Sequence, residues 1–126
     1  MDGLKFNSSG RDAAYLANVN VLFAAVFALA IFRNGWPEDK LGSQSVLQKC
    51  ADWFRQMFEG GLTGNRIQIA ARKSARKDLD LRIQKILHYV GVMADESDID
   101  LLLNSGVVTR KIRKSVHKTS KPVVAN

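Results

Sequence analysis

The sequence predicts an all-α fold, a small helical bundle of three long helices plus a short fourth, followed by a basic extended C-terminal tail. Three observations lead there. The 126 residues suffice for one modest core but not for two. Breaks at Gly35/Pro37, Gly60-Gly61 and Gly106 leave long stretches free of strong helix terminators. Within those stretches apolar residues recur at three- and four-residue steps. The bundle is expected over residues 1–108 and the tail over 109–126.

The first dozen residues, MDGLKFNSSGRD, read as an irregular lead-in that offers Ser8, Ser9 or Asp12 as a helix N-cap. Residues 13–32 follow as the first long helix. They hold no charge, only Asn18 and Asn20 as strongly polar side chains, and seven alanines. Twenty such residues meet the length of a bilayer span, and Arg11 and Arg33 bracket them. Against a span stand the two asparagines and the weak contribution of alanine to insertion. The favoured reading is a central helix covered by its neighbours. The helix is expected to end near Asn34–Gly35, with Trp36 folding back on the bundle end.

Ser43 is placed to cap a second helix, 44–59, whose Val46, Leu47, Cys50, Ala51, Trp53, Phe54, Met57 and Phe58 form one apolar face and predict core positions. The third helix, 65–94, lacks proline. Its stripe runs from Ile67, Ala71 and Ala75 through Leu79, Ile83, Ile86, Val90 and Met93, and Gly91 is a point where it bends or stops. Asp95-Glu96-Ser97-Asp98 supplies the cap and negative first turn of the short fourth helix, which Gly106 ends. From Val107 the chain alternates weakly before its basic end.

The formal charge of +7 is unevenly laid out. Residues 1–65 carry six Lys/Arg and six Asp/Glu, residues 66–108 carry seven and six, and the last eighteen carry six basic residues and no acid. The body is nearly neutral. Two groups of cations are therefore candidate contacts for an anionic or acidic partner: Arg72, Lys73, Arg76 and Lys77 on the third helix, and Arg110, Lys111, Arg113, Lys114, Lys118 and Lys121 in the tail. The helical group forms two like-charge i,i+4 pairs, which are unfavourable unless an anion or acidic partner sits between them.

The chemistry of an enzyme finds little support, and no catalytic residue, cofactor or metal is assigned. A single cysteine, Cys50, excludes an internal disulfide framework and points to a reducing, cytoplasmic setting. His88 and His117 have no second ligand at helical metal spacing. GGLTGN lacks the Lys-Ser/Thr of a phosphate loop and is a turn. Asp78 and Asp80, two apart, point to different sides of their helix.

The run LTGNRIQIAARKSARKDLDLRIQKILHYVGVMADESDIDLLLNSGVVTRK, together with the NGWP connector, resembles a set of short bacterial proteins of unknown function. Some of those continue past a segment like KPVVAN into a fibronectin type III-like domain. The resemblance covers residues 33–124 and implies a helical bundle with an adaptor or assembly role. It carries across no catalytic residue.

The expectation is a non-enzymatic interaction or assembly protein that self-associates, or docks on a protein partner, through apolar helix faces and a basic tail. Sequence-nonspecific nucleic-acid binding is the first alternative. Anchoring in a membrane by residues 13–32 is the second.

Overall fold

The computed structural model describes residues 3–60 and 66–111. Strand β1 (Gly3–Phe6) opens the chain and α1 (Asp12–Phe27) follows. A single turn α2 (Glu38–Leu41) leads to α3 (Gln44–Gly60), α4 (Arg66–Met93), α5 (Glu96–Asn104) and β2 (Val108–Lys111). The architecture is mostly helical, as the sequence predicts, with α4 as the axis on which α3 and β1 pack, while α1 packs on α3 and α5.

The terminal segments differ from expectation. β1 and β2 pair antiparallel, from Gly3 opposite Lys111 to Phe6 opposite Val108, and the Asn7 amide donates to the Val107 carbonyl at 2.8 Å. Phe6, Val107 and Val108 enter the core, so the ribbon closes the bundle with both ends of the described chain. Thr109–Lys111 thus belong to the sheet, across the point where the sequence places the start of the tail. Residues 112–126 lie outside the described residues, and with them Arg113, Lys114, Lys118 and Lys121.

The first long helix is shorter than its apolar run. It stops at Phe27, Leu29 is extended (φ −67°, ψ 147°), and Ala30–Phe32 form a 3-10 turn. The cause is tertiary. Asp98, on α5 and only 1 % exposed, accepts from the Ala30 amide at 3.0 Å and the Ile31 amide at 3.1 Å. An unbroken α-helix would direct those two amides to the Val26 and Phe27 carbonyls. The buried carboxylate competes successfully because bonds from amides to a charge are stronger than neutral ones. Among the described residues no helix is long and apolar enough to cross a membrane.

α1 is nonetheless two-faced. Tyr15, Val19, Leu22, Phe23 and Val26 are buried, whereas Ala13, Ala14, Ala17, Ala24 and Ala28 are exposed. Apart from Val21, which is exposed, large apolar residues face inward and small ones outward, a division by size that a hydrophobicity pattern hides. No side chain caps its N-terminus: Arg11 is the N-cap residue, and Ser8, Ser9 and Asp12 serve elsewhere or lie beyond it. The other two caps follow expectation. Ser43 Oγ accepts from the Val46 amide at 3.0 Å and Asp95 from the Asp98 amide at 3.1 Å. Gly106 (φ 86°) closes α5 in the left-handed region that favours glycine. α4 runs through Gly91 to Met93 without stopping. Trp36 folds back against Phe27 and Phe32, its ring 4.5 Å from that of Phe32, and its Nε1 donates to the Gly42 carbonyl at 2.6 Å.

Candidate interaction surface

Leu79, Ile83, Ile86 and Val90 of α4 are fully buried and divide the helix into two flanks. One flank faces α1 and the N-terminal strap formed by β1 and residues 7–11. Here the like-charge pair Arg72/Arg76 meets its acidic partner inside the chain. Asp12 Oδ2 lies 3.0 Å from Arg72 Nε, and Asp12 Oδ1 lies 2.8 Å from Arg76 NH1. Arg76 NH2 also donates to the carbonyls of Ser8 (2.7 Å) and Gly10 (2.9 Å), and its guanidinium stands 4.2 Å over the Tyr15 ring. Tyr15 in turn donates its hydroxyl to Asp80 Oδ1 at 2.6 Å. Burial raises the Tyr15 pKa well above the usual phenol range, and the Asp80 carboxylate raises it further, against a smaller opposing effect of Arg76. Arg72 and Arg76 are thus structural ties, while Lys73 and Lys77, one position on, are exposed.

At the chain's other end, Arg110 NH2 reaches Glu96 Oε2 at 3.0 Å, tying β2 to α5. The Asp98 amide and the Ser97 hydroxyl hold the Asp95 carboxyl below the usual carboxylate range.

The second flank faces α3 and is left open. A cleft of about 200 Å³ runs between the two helices, lined by Val46, Lys49, Cys50, Trp53, Ala75 and Asp78. Two residues placed in the core by sequence are not there: Trp53 is 53 % and Val46 is 42 % exposed. Leu47, Ala51 and Phe54 are buried as expected. The reason is angular. At 100° per residue, Leu47, Ala51 and Phe54 cluster within about 60° of one another, whereas Val46, Cys50, Trp53 and Met57 fall on a shoulder roughly 90° away. That shoulder repeats in four-, three- and four-residue steps, the spacing of a coiled-coil seam. Cys50 and Met57 on it are half-buried. The Cys50 thiol is pushed up by burial, with Arg82 opposing and Asp78 adding, which leaves it a weak nucleophile. Asp78 itself takes Arg82 Nε at 3.0 Å, on the side of α4 away from Asp80, as their spacing predicts.

Further exposed apolar residues lie along α4 and α5: Ile67, Leu81, Val92, Met93 and Leu101. Ile67 and Met93 are the two ends of the stripe read from sequence. Among the described residues no group of His, Cys, Asp and Glu is placed to hold a metal ion.

No family model matches the chain, and neither a curated protein nor a solved structure matches it.

Proposed function

We propose that the chain is an assembly module that self-associates through the α3 shoulder and the cleft beside it. The observation that carries this reading is the uncovered second seam of α3, Val46, Cys50, Trp53 and Met57, with its tryptophan more than half exposed. A large aromatic left in water at coiled-coil spacing is the anchor type that dominates interface energetics. The cleft volume supports the same reading. About 200 Å³ exceeds an apolar cavity of ~150 Å³ that accepts benzene, so the cleft takes one aromatic side chain.

An isologous pairing follows from the seam. Two copies of α3 running antiparallel about a two-fold axis between Cys50 and Trp53 set Val46 against Met57, and Cys50 against Trp53, twice over. The same face receives a partner's amphipathic helix if the second copy is absent. Light-scattering mass of the purified chain, measured over a concentration series at about 50 and about 500 mM salt, separates these. A mass of two chains at both salt concentrations supports apolar self-association. One chain at every concentration refutes it.

A further inference from the structure

We infer that the flank of α4 opposite the cleft is a second, basic contact face, and that it binds the phosphate backbone of a double-stranded nucleic acid. The charge layout is the reason. The inner row of this flank is balanced: Arg72 and Arg76 are positive, Asp12 and Asp80 negative, and all four are engaged with one another or with Tyr15. The outer row has no such balance. Arg66, Lys73 and Lys77 are exposed and make no ion pair with any described residue.

At 100° per residue these three cations fall within about 40° of one another around the axis, and the eleven-residue spacing from first to last spans about 16 Å. Gln84, Ala70, His88 and Gly91 are the remaining residues of that strip, so it holds no acid. The strap adds Arg11, exposed and next in sequence to the Asp12 that both arginines grip.

A duplex presents one phosphate per about 3.4 Å of axis on each strand, so a row of cations 16 Å long meets several phosphates at once. The strip has no exposed Phe, Tyr or Trp, and His88 is its one ring, which argues against stacking on a run of single-stranded bases. The one large apolar residue at the strip's edge is Leu81, too little for insertion into a lipid surface. Neither base edges nor sequence enter the recognition.

The test uses the full chain and a labelled duplex of about 20 base pairs, with affinity followed from about 50 to about 200 mM salt. K73Q/K77Q is compared with R33Q/K40Q, which removes the same charge from exposed positions off α4 and outside the cleft and leaves the basic C-terminus intact in both. The face predicts about tenfold weaker binding for K73Q/K77Q and a log–log salt slope shallower by about 2, with R33Q/K40Q within about threefold of the parent. Equal losses in the two variants overturn the proposal, because net charge alone then explains binding. Absence of binding by the parent at low salt overturns it too. Tighter binding to phosphatidylserine vesicles than to the duplex reassigns the face to lipid and overturns the nucleic-acid inference. None of these outcomes depends on the oligomeric state, so self-association stands or falls separately.

Discussion

α1 and α3 are almost equal in length, 16 and 17 residues, and each buries an apolar face, yet they differ in what else holds them in the bundle. α1 is fixed at both ends by charge. Its own Asp12 grips two arginines of α4, and Asp98 of α5 seizes the amides just past its C-terminus. α3 lies along α4 in extensive contact through Leu47, Ala51 and Phe54, and its second apolar shoulder stays uncovered. Directional polar ties set one position and one orientation, because a displaced partner leaves a desolvated charge or amide unpaired. Apolar contact has no such direction, so a helix held by it can present surplus apolar surface to another chain. The closed side of the molecule specifies the fold, and the open side is where association is expected.

Removing the ties ranks them. Asp98→Ala removes the buried carboxylate that accepts from both the Ala30 and Ile31 amides and is expected to cost about 2–4 kcal/mol, read as a lower denaturant midpoint. Asp98→Asn keeps an acceptor for one amide and should lose less. Arg76→Ala removes the Asp12 pair, the two strap carbonyls and the contact over Tyr15. With the side chain 23 % exposed, solvent tempers the loss to about 2–3 kcal/mol. Faster hydrogen exchange should then appear at the Lys5 and Asn7 amides before it appears in α3. A loss at Arg76 no larger than that of an exposed substitution breaks the contrast between the two helices.

Tyr15 tests the same ties by pH. Its folded pKa is raised, so its contribution is fully present below about pH 10, where the unfolded phenol begins to ionise, and falls as pH rises above that. Unfolding monitored from pH 8 to 11 should show stability declining at the upper end. Tyr15→Phe should lose about 1–2 kcal/mol at neutral pH with the Asp80 bond. It should also make the alkaline decline shallower, by up to about 1.4 kcal/mol per pH unit. An unchanged alkaline slope would place the phenol in contact with water.

How much of this was legible in the sequence follows from how local each cause is. α3 and α4 were legible almost to the residue, because a 3.6-residue stripe and caps such as Ser43 are written within a few positions of the helix they shape. The end of α1 was not, since the carboxylate that breaks it sits 68 residues away from Ala30. The ribbon pairs Gly3 with Lys111 across nearly the whole chain, and four-residue strands carry little periodicity of their own. The weak alternation after Val107, with Leu4 and Phe6 in the lead-in, was the available signal. The like-charge pair Arg72/Arg76 correctly announced a missing acid. Asp12, 64 residues from Arg76, answers it within the chain, so two of the four helical cations proposed as partner contacts are internal ties. Trp53 was misplaced for a different reason: residue type marks it as core, but its angle, 100° from its neighbour Phe54, puts it on the shoulder.

On the proposed self-association, the open shoulder of α3 is where a substitution acts on assembly more than on the fold. Trp53→Ser should cost the isolated chain no more than about 2 kcal/mol, since half of the indole is already in water. The direct measurement is the light-scattering mass of Trp53→Ser beside that of the parent over the same concentrations, with thermal unfolding as the control. The account predicts a mass of two chains for the parent and one for the variant, with the dissociated variant still unfolding in one cooperative transition. Identical masses for the two proteins would contradict it.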